Sequence, residues 1–68
     1  MDELIFKNKV KLYREKQGFS QSKLAEMVGT TRQTIIAIEK GTFSPTAKLA
    51  YLLCLALEVR FENLFYFE

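Results

Sequence analysis

Only two residues, Gly29 and Thr30, separate the helix-patterned run that ends at Val28 from the next one, which begins at Thr31. A chain that reverses in so few residues brings the two helices together at a sharp angle, and Ala25, one turn before the bend, has no bulk to hold them apart. Apolar spacing supports both runs. Leu24, Ala25 and Val28 share one face of the first, and Ile35 and Ile38 share one face of the second.

Glycine and proline divide the rest of the chain. Gly18, Gly29 and Gly41 each follow a helix-patterned run, where a left-handed residue ends a helix at no steric cost. Ser44 ahead of Pro45 reads as an N-cap followed by proline at the first helical position. Four helices are expected, at about 7–17, 21–28, 31–40 and 45–57, with a short fifth turn over 61–64. Val10 and Tyr13, with Phe6 in line, form the inner face of the first. The segments "LIFK" and "LFYFE" are rich in strand formers and are expected to pair as a small two-stranded sheet joining the termini. The fold class is all-α, one domain over residues 1–68.

Composition excludes several chemistries. With 68 residues, 49% of them hydrophobic, the chain is near the lower limit for a single unstapled core. One cysteine and no histidine leave no internal disulfide and no Cys/His ligand set, so neither a metal nor a cofactor is expected. Cys54 reads as a small buried apolar filler. Without histidine, a phosphate-cradling glycine loop or a nucleophile–base pair, the chain is not expected to be an enzyme. The start "MDELIFKNKVK" puts acids before a three-residue apolar run, the wrong order for a secretory signal. The longest apolar run, Leu49–Leu57, is nine residues, whereas a bilayer needs about 20. A cytoplasmic location with no membrane partner is the expectation. Net charge is +2 and unevenly placed: residues 7–48 carry +6, while residues 1–6 and 49–68 carry −2 each. A basic middle suits an anionic partner, although alone it also describes an ordinary solvated face.

The stretch "QSKLAEMVGTTRQTIIAIEKG" is similar to the Cro and lambda-repressor type, or Xre-like, helix-turn-helix family, and the likeness runs from "NKVKLYREKQGFSQ" through "IEKGTFSPTAKLAYLLCLALEV" to "ENLF". It is carried at fixed spacing by Arg14, Ser20-Gln21, Leu24-Ala25, Gly29, Ile35, Ile38-Glu39, Gly41 and Pro45. The resemblance implies a compact five-helix lambda-repressor-like DNA-binding domain, a small stand-alone bacterial or phage transcriptional regulator. It also makes helix 31–40 the recognition helix and pairs the acid at its end with the arginine of the first helix, here Glu39 with Arg14. Physical chemistry points the same way. An acid beside the Ile35/Ile38 seam needs a cation, and Arg14 lies next to Tyr13 on the inner side of its helix; the alternative is an exposed acid worth little.

With that helix locked on one side, Arg32, Gln33, Ile36, Ala37 and Lys40 face outward, with Thr31 as N-cap at the entry. Arginine can bond guanine O6 and N7, and glutamine adenine N6 and N7, so Arg32 and Gln33 are the expected base readers of double-stranded DNA. Ile36 either touches a thymine methyl or completes the core, and Ala37 lies beside it. Backbone contacts are expected from Gln21 at the start of helix two, whose family counterpart is used in this way, and from Ser20, Lys23, Thr31, Lys40, Thr42 and Ser44. Ser20 has an equally good plain role as N-cap. Phe43 departs from the polar or basic residue expected in that loop.

Helix four is apolar all round, and "FENLFYFE" holds four aromatics in eight residues. Exposed apolar surface on this scale marks an interface, and a two-fold homodimer through residues 58–68 is expected, with Phe61, Leu64, Phe65 and Phe67 in contact. The sequence thus reads as a sequence-specific DNA-binding transcriptional regulator, a repressor that binds a roughly palindromic operator as a homodimer. An antitoxin-type regulator with a toxin partner and a protein-interaction adaptor that never touches DNA are the alternatives.

Overall fold

The two ends of the chain meet in one antiparallel ribbon, and the helices fill the space between them. The structure, a computed structural model, describes residues 4–68 as β1 (Phe6–Asn8), α1 (Val10–Lys16), α2 (Gln21–Val28), α3 (Arg32–Lys40), α4 (Ala47–Leu57), α5 (Phe61–Leu64) and β2 (Phe65–Phe67). The first three positions of the expected 1–68 domain lie outside the described residues. Phe6 pairs with Phe67, Lys7 with Tyr66 and Asn8 with Phe65, and mutual Ile5–Glu68 backbone bonds extend the ribbon.

That ribbon explains why the first helix begins at Val10 and not at residue 7. Residues 6–8 give their backbone groups to β2, and Phe6 stacks on Phe65 with ring centroids 5.6 Å apart. Asn8 then makes the turn into α1. Its Oδ1 accepts from Val10 N–H at 3.0 Å, while its Nδ2 donates to the Ile38 carbonyl at 2.9 Å, fastening the ribbon to the end of α3.

Helices α2, α3 and α4 each start on a hydroxyl, whereas α5 follows Arg60 without a side-chain cap. Ser20, Thr31 and Thr46 accept from the backbone N–H groups of Lys23, Thr34 and Leu49. The last corrects the expected Ser44 cap: two hydroxyls stand two residues apart, Thr46 takes the role, and Pro45 precedes the helix. Gly29 and Gly41 end α2 and α3 in the left-handed conformation. The core joins Val10 of α1, Leu24 and Val28 of α2, Ile35 and Ile38 of α3, and Leu53 and Leu57 of α4. No helix among the described residues is long and apolar enough to cross a membrane.

Helix α4 ends without glycine. Glu58 takes the left-handed position at φ 58°, the one non-glycine residue with positive φ among those described. The Gln17 side chain covers this end, its Nε2 donating to the Leu57 carbonyl at 3.1 Å and lying 3.4 Å from Glu58 Oε2. A side chain costs about 1 kcal/mol in this conformation, and a carboxylate at a helix C-terminus opposes the dipole. Glu58→Gly is therefore expected to stabilise the protein by about 1 kcal/mol in a denaturant melt. No gain in midpoint would show that the Gln17–Glu58 contact offsets the backbone strain.

Candidate nucleic-acid interface

Helix α3 is fastened on one side by a buried ion pair. Arg14 and Glu39 face each other with side chains only 10% and 5% exposed. Arg14 Nε donates to Glu39 Oε2 at 2.6 Å, Nη2 to Oε1 at 3.3 Å, and Nη1 to the Phe19 carbonyl at 2.8 Å. The Glu39 hydrogen bond raises the Arg14 pKa above the ordinary guanidinium value, against the lowering effect of burial, so the cation stays charged. Gln21 completes the network by donating Nε2 to Glu39 Oε1 at 3.1 Å. One carboxylate thus ties α1 and the start of α2 to α3.

Gln21, expected at a phosphate, donates inward to Glu39, while it also lines an open recess with Lys11, Ser22 and Arg32. Lys23 lies 3.9 Å from Glu26 one turn on, an exposed pair that gives it a local partner. Ser20 and Thr31 are engaged as caps, and the Thr42 hydroxyl donates to the Ala37 carbonyl at 3.2 Å, closing the end of α3. Ser44 is exposed and makes no side-chain hydrogen bond among the described residues.

On the opposite face of α3, Arg32, Gln33 and Lys40 are exposed. None of the three has an ion-pair or side-chain hydrogen-bond partner among the described residues. Ile36 and Ala37 are half-buried between them, and neither belongs to the apolar side chains packed on the core. Arg32 opens onto a recess shared with Lys11, Ser20, Gln21 and Ser22. Lys40 and Gly41 share another with Lys7, Asn8 and Tyr66. Lys11 and Lys7 escaped the sequence analysis, although Lys11 sits one turn before Arg14 and so belongs at the edge of the face that meets α3.

The other pole of the molecule is apolar. A groove of about 560 Å³ runs between α4 and α5, with Ala50, Cys54 and Val59 along it and Tyr51, Leu55 and Phe61 at its sides. Tyr51 and Leu55 are 65% and 58% exposed. Burial pushes the Cys54 thiol pKa up. The tail corrects the expected contact set: Leu64 is 0% and Phe65 2% exposed, so both belong to the core of a single chain, while Phe61 and Phe67 stay exposed. The reason is a change of period. Leu64 closes a helical turn and Phe65 opens a strand, so two adjacent residues both point inward.

Comparison with known proteins agrees with this geometry. The helix-turn-helix family model matches residues 10–64. The chain is 50% identical over 62 residues to the uncharacterized HTH-type transcriptional regulator YgzD of Bacillus subtilis, covering 91% of this chain and 94% of that protein. It is 45% identical over 62 residues to an uncharacterized HTH-type transcriptional regulator of Methanocaldococcus jannaschii, with the same coverage. The crystal structure of the restriction-modification controller protein C.AhdI from Aeromonas hydrophila superposes with a TM-score of 0.75 over 81% of this chain and 80% of that one; at 24% identity it speaks for the fold alone. Two helices joined at Gly29-Thr30, an ion pair locking the second of them and a family match over most of the length place this chain in the Xre-like, Cro and lambda-repressor type helix-turn-helix family of DNA-binding transcriptional regulators.

Proposed function

We propose that this protein is a repressor that binds a roughly palindromic operator as a homodimer, with α3 in the major groove. The observation that carries the reading is the Arg14–Glu39–Gln21 network, which holds α3 while Arg32 and Gln33 stand exposed at its leading end with no ion-pair or side-chain hydrogen-bond partner among the described residues. Ile36 and Ala37, half-buried between them and Lys40, supply the apolar contact that suits a thymine methyl. Phosphates are held by the backbone N–H groups at the start of α2 and by Lys40 and Ser44, since the Thr42 hydroxyl and backbone N–H are both spent on the Ala37 carbonyl. Two half-sites about 34 Å apart, or a multiple of that spacing, follow from the two-fold arrangement. The matched relatives carry the name of HTH-type transcriptional regulators.

A selection of random duplexes against the pure protein tests this directly. Enrichment of an inverted repeat is expected; a pool no different from the input would remove the reading.

The groove beside α4 is the proposed two-fold contact. Tyr51 and Leu55 take the place of the buried Leu64 and Phe65 beside Phe61, and the exposed Phe67 outside the groove completes the apolar set. Three aromatics and a leucine at roughly 200 Å² each, exposed to between 53% and 65%, offer roughly 450 Å² per protomer. A two-fold pair would then bury roughly 900 Å², at the weak end of specific interfaces, so operator binding and dimerisation should reinforce one another. Phe61→Glu is expected to raise the dimer dissociation constant about tenfold while leaving the helices intact, because it puts a charge at an apolar contact and not in the core. Sedimentation velocity and circular dichroism check both halves. Cys54 lines the same groove, so its labelling by a maleimide should slow as wild-type concentration rises. A wild type that remains monomeric at tens of micromolar, with or without operator, would exclude this interface.

A further inference from the structure

Two cations that belong to neither helix of the motif stand at its borders. Lys11 of α1 shares its recess with Ser20, Gln21, Ser22 and Arg32, at the leading ends of α2 and α3. Lys7 of β1 shares its recess with Asn8, Lys40 and Gly41, at the trailing end of α3. Both are held in place relative to α3. Asn8, next to Lys7, bonds the Ile38 carbonyl at 2.9 Å, and Arg14, one turn after Lys11, is fastened to Glu39 at 2.6 Å.

The acids nearby leave these cations available. Glu39 lines the Lys7 recess but is committed to Arg14 and Gln21. Glu68 lies 3.6 Å from Lys7 in a pair exposed at both ends, an interaction worth little and easily exchanged. Glu15 borders the Lys11 recess without forming an ion pair with it. The major groove is walled by a phosphate backbone on each side, and a cation stands beside each end of α3, Lys11 at its start and Lys7 at its finish.

We propose that Lys7 and Lys11 grip phosphates on the two strands flanking the groove that receives α3, extending the duplex-contacting surface beyond the helix-turn-helix onto the terminal ribbon. This rests on the DNA-binding reading above. Glu68 then acts as a built-in competitor, holding Lys7 until a phosphate takes its place.

The test is the salt dependence of binding to a selected duplex and to a random one, for Lys7→Ala, Lys11→Ala and Lys16→Ala. Lys16 is the control: it carries the same charge at the last residue of α1, with Nζ 5.4 Å from the centre of the Tyr13 ring, and borders neither recess. Lys7→Ala and Lys11→Ala are each expected to lower the slope of log K against log salt by about 0.9, on both duplexes alike. Lys16→Ala should lower it by less than half as much. Glu68→Gln should tighten binding to both duplexes, and Lys7→Ala should abolish that gain. If either Lys7→Ala or Lys11→Ala tracks Lys16→Ala while Lys40→Ala lowers the slope, the two-strand grip is wrong and the DNA-binding reading stands. If Lys40→Ala has no effect and no duplex is selected, the underlying reading has failed.

Discussion

Glu39→Ala is expected to destabilise the protein by roughly 3–5 kcal/mol, because it leaves a buried guanidinium without its anion. Arg14 would retain only the bond to the Phe19 carbonyl among its three hydrogen bonds, and Gln21 would lose the acceptor that orients its carboxamide. A domain of this size has a total stability of roughly 3–10 kcal/mol, so the variant should be largely unfolded at moderate temperature. The cause can be separated from loss of packing. Glu39→Gln keeps an acceptor and the side-chain volume while removing the charge, and should fall between wild type and alanine. The double change Arg14→Met with Glu39→Leu should recover much of the loss, since well-packed apolar residues often replace a buried pair without penalty. Chemical denaturation read by circular dichroism measures all three. A cost below about 0.5 kcal/mol for Glu39→Ala, the range of an exposed pair, would show that the network does not hold α3.

The Arg14–Glu39 pair was legible because the family resemblance implies it and because the phase set by Ile35 and Ile38 puts Glu39 beside the core, where an acid needs a cation. The terminal ribbon was legible from its aromatic and β-branched residues. Where it begins was not, because Lys7, Asn8 and Lys9 fit a helix as well as a strand, and β2, more than 50 residues away, decides between them. Leu64 and Phe65 were misread for the same kind of reason: the switch from helical to strand period between them depends on β1. Gln21 was read as an outward contact because sequence spacing says nothing of the free lone pair on Glu39. The apolar surface of α4 was visible as an excess, but its division into an inner Leu53/Leu57 face and an outer Tyr51/Leu55 face appears only once the helix is packed.

Arg32→Ala and Lys40→Ala should weaken binding in different ways, and the difference tests the recognition helix itself. Arg32 and Gln33 occupy the first two positions of α3, exposed and without partners among the described residues, the end that in the proposed complex enters the groove and reaches base edges. Losing either side chain should cost about 1–3 kcal/mol on the selected operator and relax base preference at one position per half-site. Random duplex, which offers these side chains no fixed partner, should be bound nearly as well as before. Lys40 sits at the other end of the helix beside Gly41, where the chain turns away toward α4. Its loss should weaken operator and random duplex alike and lower the salt slope by about one unit. Both variants should keep wild-type melting behaviour, because neither side chain touches the Arg14–Glu39 network or the core. Fluorescence anisotropy on both duplexes across a salt series gives the four numbers required. Equal losses for the two variants on specific and random DNA would mean that α3 reads nothing, and the operator reading would give way to a protein-interaction role for the same bundle.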